Sequence, residues 1–129
     1  MEYSTLDKLG VRVSRLGFGC MRFPLTAEGK IDEPRAAAML DTAYKAGVTY
    51  YDTAYFYHQH TGEAFLGRAM NRYPRDTFYL ATKMPMSIVE SLDHAKEIFE
   101  GQLAALQTDY VDFYLLHAIN GERWKQAQG

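Results

Sequence analysis

Three ionisable residues each close an apolar run along this chain: Asp52 follows Val48–Tyr51, Lys83 follows Phe78–Thr82, and His117 follows Val111–Leu116. They stand 31 and 34 residues apart, about one strand–helix unit each, and Tyr57 lies five residues beyond Asp52. An acid, an ammonium, an imidazole and a phenol gathered at one rim make a proton-transfer site. A phenol, with an ordinary pKa of about 10, is a poor acid at neutral pH, but a neighbouring ammonium stabilises its phenolate. Lys83 would supply that charge, Asp52 would pair with Lys83 and hold it, and His117 would hydrogen-bond the substrate oxygen. Tyr57 is then the general acid for a carbonyl.

Bringing these groups together requires strands that end at the same place. Residues Tyr3–Val13 read as a small hairpin around Lys8-Leu9-Gly10. From there, short apolar runs alternate with helical patterns: Leu16–Cys20, Pro34–Ala46, Val48–Asp52, Glu63–Arg72, Phe78–Lys83, Ser91–Leu106 and Tyr110–His117. The first helix has Asp32 as N-cap, Pro34 in its first turn, Ala36, Met39, Leu40 and Ala43 on its buried side, and Gly47 as its stop. The second opens at Thr61 or Gly62, packs with Phe65, Leu66, Ala69 and Met70, and is finished by Pro74. The third is predicted to bury Leu92, Ala95, Phe99, Leu103 and Leu106, with its start at Ser87 or Ser91. The polar tail Gly121–Gly129 stops where a further helix should begin. Strands alternating with helices imply parallel pairing through right-handed crossovers, so that functional groups collect at one end of the sheet.

The composition is that of one ordinary globular domain spanning residues 1–129. It is 47% apolar, and 14 basic against 16 acidic residues give a net charge of −2. No basic cluster is present for nucleic acid or an anionic membrane surface. The apolar runs fall far short of the ~18 residues of a membrane span, and Met1–Gly10 lacks a signal-peptide pattern. Cys20 is the one cysteine, so there is no internal disulfide and no paired-cysteine metal motif; a cytoplasmic setting is expected. A closed eight-stranded α/β barrel needs ~250 residues, so the chain accommodates about half of one.

The segments Tyr51-Asp52-Thr53-Ala54-Tyr55-Phe56-Tyr57, Ala81-Thr82-Lys83 and Asp109-Tyr110-Val111-Asp112-Phe113-Tyr114-Leu115-Leu116-His117 resemble the aldo-keto reductases. Leu16-Gly17-Phe18-Gly19-Cys20-Met21 and Glu63-Ala64-Phe65-Leu66-Gly67 are similar as well. The resemblance covers the whole chain. It implies the N-terminal half of a TIM (β/α)8 barrel, with about four βα units preceded by a hairpin, and a carbonyl reductase dependent on NADPH or NADH. It also implies an Asp/Tyr/Lys/His tetrad at Asp52, Tyr57, Lys83 and His117, and nicotinamide contacts at Cys20, Met21, Arg22 and Asp52. The substrate would be a small aldehyde or ketone taking hydride from nicotinamide C4. The stretches Thr82–Pro85 and Leu116–Asn120 are most similar to bacterial members that continue into a C-terminal iron–sulfur domain, although this chain lacks the cysteines for a cluster. Phosphate and adenosine contacts of such barrels lie after strands 7 and 8, so the 129-residue chain alone is expected to turn over little substrate.

Other features have plainer readings. Gly17-Phe18-Gly19 lacks the third glycine of a dinucleotide fingerprint, which sets aside a small doubly wound domain binding a phosphorylated ligand. His58-Gln59-His60 has no further ligand nearby and reads as solvent-facing or substrate-loop histidines, not as a metal site. Cys20 reads as a small buried residue. An alternative to the enzyme is an inactive half-barrel acting as an interaction module. Its open sheet edges predict a homodimer or larger species.

Overall fold

The computed structural model describes residues Met1–Gly129. A hairpin of β1 (Tyr3–Leu6) and β2 (Val11–Ser14) opens the chain, paired antiparallel from Tyr3↔Ser14 to Leu6↔Val11. There follow β3 (Gly17–Gly19), α1 (Glu33–Lys45), β4 (Tyr50–Asp52), α2 (Gly62–Met70), β5 (Tyr79–Met84), α3 (Leu92–Leu106), β6 (Phe113–Leu116) and α4 (Gly121–Gln128). Strands β3 to β6 form one parallel sheet in chain order, in register through Gly19↔Asp52, Asp52↔Ala81 and Lys83↔Leu115. Because each strand pairs with its predecessor, every right-handed crossover returns in the same direction and the helices line one face. The reversal of strand order that a doubly wound sheet needs does not occur. The architecture is that of half a (β/α)8 barrel, with the hairpin set against the strand starts. There Ser14 N donates to Thr49 Oγ1 and Thr49 N to Ser14 Oγ, both at 2.9 Å.

Local chemistry explains each helix. Asp32 caps α1 by accepting from Arg35 N at 3.3 Å, and Pro34 sits where its missing N–H costs nothing. Gly47, just past the α1 end, has φ +92°, and a Cβ there would lie 2.6 Å from the Tyr3 hydroxyl. Ala36 and Leu40 are buried as expected, whereas Met39 points outward, because the stripe facing the sheet is narrower than the apolar pattern. The second helix ends at Met70 with Asn71 as its cap, four residues before Pro74; the proline instead opens a 3-10 turn at Arg75–Thr77. Ser91, not Ser87, caps α3, accepting from His94 N at 3.1 Å.

The buried positions of α3 differ from the apolar pattern. Ile98, Gln102 and Leu106, spaced by four, are buried, while Leu92 in the first turn is 71% exposed. A glutamine occupies the middle of that stripe because the sheet surface opposite it is itself polar, at Thr82. The tail also departs from expectation: Gly121–Gln128 is helical, capped by Asn120 accepting from Arg123 N at 2.9 Å.

The core between sheet and helices is built on Tyr51, Leu40, Leu66, Met70, Leu80 and Leu106. The other face of the sheet carries Tyr50, Tyr79 and Phe113, whose rings meet at 5.2 and 6.2 Å. Within α3, a Cβ added at Gly101 meets nothing within 4 Å. Gly101→Ala should therefore stabilise the chain by about 0.5–1 kcal/mol through helix propensity alone, read as a higher urea midpoint.

Candidate active site

The C-terminal ends of the parallel strands gather the four residues singled out by spacing. Lys83, the last but one residue of β5, extends across β4. Its Nζ donates to Asp52 Oδ2 at 2.8 Å, to Thr53 O at 2.7 Å and to Tyr57 Oη at 3.3 Å. The Lys83 side chain is 14% exposed and that of Asp52 30%, so the ion pair is shielded without being sealed. The ammonium also lies 4.9 Å from the centre of the Tyr57 ring. His117 stands one residue beyond β6, its N–H donating to Met84 O at 2.9 Å, and its ring meets that of Tyr57 edge-on with centres 5.9 Å apart.

Tyr57 is held by an unusual loop. The three residues after it, His58, Gln59 and His60, all adopt left-handed conformations, with φ of 53°, 54° and 69°. Non-glycine residues rarely do so in succession, because Cβ crowds the backbone. Several contacts hold the turn in place. Thr61 Oγ1 donates to His58 O, Gly62 N donates to Tyr57 O at 3.1 Å, and Phe23 N donates to His58 Nε2 at 3.2 Å. The His58 ring stacks on Phe23 with centres 5.5 Å apart, while His60 packs edge-on against Tyr55. His58 is thus a strut between the loops following β3 and β4 and is not solvent-facing; its partner, a backbone N–H 35 residues earlier, leaves no trace in the sequence pattern. No group of three or more His, Cys, Asp or Glu is arranged to hold a metal ion.

Burial lowers the pKa of both His58 and His117 below 6.5. The Lys83 charge adds to the effect at His117, and Asp52 opposes it there. Each imidazole therefore binds its proton less readily folded than unfolded. Their contributions to stability are complete above about pH 6.5 and are lost as pH falls from there through the folded values. A two-dimensional NMR titration should give both midpoints below 6.5.

A cavity of about 680 Å³ lies at the other end of the sheet, between the last turns of α2 and α3, and touches none of the tetrad.

A model of the aldo/keto reductase family matches residues 15–123, which include all four of these side chains and the strands that carry them. The chain belongs to the aldo/keto reductase family. It is 33% identical to the aldo-keto reductase YhdN of Bacillus subtilis over 125 residues, covering 91% of this chain and 38% of YhdN. With the norsolorinic acid reductase stcV of Emericella nidulans the identity is 37% over 125 residues, 84% of this chain and 32% of that protein. Among solved aldo-keto reductases, the thermostable Tm1743 bound to the inhibitor epalrestat superposes with a TM-score of 0.79 at 30% identity, over 95% of this chain and 44% of that one. A Klebsiella pneumoniae member in complex with NADPH gives 0.75 at 26% identity, over 100% of this chain and 47% of its own. The chain thus spans less than half the length of these relatives.

Measured against a nicotinamide cofactor, the rim residues divide. Met21 is 55% exposed and Arg22 is exposed beside it, both free to meet a ligand. Cys20 is wholly buried, with its Sγ 3.9 Å from Phe18 O, and burial pushes its thiol pKa well up. Its side chain packs beneath the rim as part of the core. Asp52 remains at the surface of the site through its pairing with Lys83. No helix is long and apolar enough to cross a membrane.

Proposed function

We propose that this chain carries the proton-donating half of an NAD(P)H-dependent carbonyl reductase site, with Tyr57 as the general acid for an aldehyde or ketone. The observation that carries the reading is the position of Lys83 Nζ, within hydrogen-bonding distance of Asp52 Oδ2 and Tyr57 Oη at once. As the carbonyl carbon is reduced, its oxygen gains charge and takes the proton from Tyr57 Oη. The phenolate left behind is stabilised by the Lys83 ammonium and later recovers a proton from solvent. Asp52 holds the ammonium in place and balances its charge. His117, neutral at pH 7, borders the same space as Tyr57 and orients the substrate oxygen. Met21, Arg22 and Asp52 are the residues of this chain that would meet the nicotinamide end of NADPH or NADH, which supplies the hydride when bound.

The phosphate sites of (β/α)8 folds lie after strands 7 and 8, beyond a four-stranded parallel sheet. NADPH fluorescence titration should therefore show binding and aldehyde-dependent oxidation in a longer chain carrying eight strands, and little binding by the 129-residue chain. Tight binding by the 129-residue chain itself would mean that it assembles a complete cofactor site, and the division proposed here would fail.

A second reading rests on the two open edges, β3 and β6. Leu115 and Leu116 on β6 are 41% and 39% exposed, which favours self-association of the chain as an oligomer. Light scattering at micromolar concentration should report a dimer or larger species, and a clean monomer would sink that reading.

A further inference from the structure

On the face of β5 opposite Lys83 lies a polar cluster that the proton-transfer chemistry does not use. Glu63, in the first turn of α2, and Gln102, in the middle of α3, are 4% and 1% exposed, and Thr82 between them is fully buried. Glu63 Oε2 accepts from Thr82 Oγ1 at 2.8 Å and from Gln102 Nε2 at 3.2 Å. The same Gln102 Nε2 donates to Lys83 O at 2.9 Å, and Gln102 Oε1 accepts from Tyr114 Oη on β6 at 2.6 Å. With acceptors at its nitrogen and a hydroxyl donor at its oxygen, the Gln102 amide has one orientation that satisfies every partner. Burial raises the Glu63 pKa, while the bonds from Thr82 and Gln102 and the nearby Lys83 charge hold it down. The α2 N-terminus also favours a carboxylate there.

The contact with Lys83 O has a specific cause. Carbonyls alternate along a parallel strand: those of Leu80 and Met84 face β6, accepting from Asp112 N and His117 N, while that of Ala81 faces β4 and accepts from Thr53 N at 2.9 Å. The next carbonyl on the β4 side is that of Lys83, but β4 has ended at Asp52, so no strand donor reaches it. Gln102 supplies the donor from α3. The end of β5, from which the ammonium reaches its three acceptors, is therefore held by a side chain and not by its neighbouring strand. Glu63 itself follows Gly62, whose N–H donates to Tyr57 O, so the cluster touches the segments bearing both Lys83 and Tyr57.

We propose that Glu63 and Gln102 are positioning residues for the Lys83–Tyr57 pair, forming with Thr82 and Tyr114 a buried relay that locks the last turn of strand geometry beneath the ammonium. The proposal rests on the proton-transfer reading for its purpose, and its test involves no turnover.

The readout is the His117 titration in the 129-residue chain, followed by NMR. Burial is the main cause of the lowered His117 midpoint, and the Lys83 charge, facing it from β5 beside Asp52 of β4 and the Tyr57 loop, lowers it further, so withdrawal of the ammonium shows as a rise. Gln102→Leu leaves Lys83 O without its donor, and Tyr114→Phe removes only the hydroxyl that pins the amide. Both should raise the His117 midpoint towards 6.5, Gln102→Leu by more than Tyr114→Phe, as the ammonium moves off. Ile98→Val, which trims the same buried stripe of α3 without touching the relay, should leave the midpoint where it was. If Gln102→Leu does not fold, Tyr114→Phe decides. Folded variants that lose stability while His117 titrates as in the parent would reduce the cluster to a glue between helices and sheet and overturn the proposal. Absence of carbonyl reduction in an eight-stranded chain whose relay variants still shift His117 would count against the enzymatic reading alone.

Discussion

Replacing Tyr57 by Phe in a reduction-competent chain is expected to lower turnover by about 10²–10⁴-fold, the usual worth of a positioned general acid. The change removes one oxygen and nothing else. The ring keeps its edge-on meeting with His117 and its place 4.9 Å from the Lys83 ammonium. The left-handed turn that presents it is anchored through backbone atoms and His58, not through the phenol. The loss should accordingly fall on kcat, with NADPH affinity preserved, since the proposed nicotinamide contacts Met21, Arg22 and Asp52 are untouched. Steady-state kinetics with a fluorescence measurement of cofactor binding separates the two. A Phe variant that turned over at the parent rate would show that the proton comes from elsewhere.

The largest expected effect on stability is at Gly67. There the α2 backbone lies against the last turns of α3, and a Cβ would meet Ala105 O at 2.6 Å, Leu106 C at 2.7 Å and Leu106 Cα at 2.8 Å. All three are backbone atoms and cannot rotate away. Gly67→Ala would have to separate the helices, drawing Leu106 off Leu66 and Met70 in the core. About 3 kcal/mol of destabilisation is expected, a fall in melting temperature on the order of 10 °C. Better helix propensity returns less than 1 kcal/mol of that, roughly the whole effect expected at Gly101. A melting temperature unchanged within about 2 °C would mean that the α2–α3 contact is looser than the distances require.

The contrast between these two glycines illustrates what was legible in the sequence. The alternation of strands and helices was legible because each apolar run is short and bounded by helix stops or caps such as Asp32 and Ser91. The gathering of Asp52, Lys83 and His117 was legible for a related reason: each ends a run, and parallel strands in chain order end together. Gln102 was invisible, because a glutamine on a helix ordinarily marks the solvent face, and its burial depends on Glu63 and Thr82 in other elements. Cys20 read as a small buried residue, and its side chain is indeed fully buried under the rim. Leu92 read as core from its spacing, yet it occupies the first turn of α3, beyond the edge of the surface that the helix covers.

The strictly sequential strand order bears on how the chain acquires its fold. Every parallel pair joins strands about one βα unit apart, as in Tyr50↔Tyr79, and no pairing waits for a distant segment. Each crossover can close onto a strand already laid down, so the sheet can grow in the direction of synthesis, with loop-closure cost rising little from one unit to the next. Such a chain should fold at the intermediate rates of mixed α/β topologies, and each newly added strand leaves an edge ready for its successor.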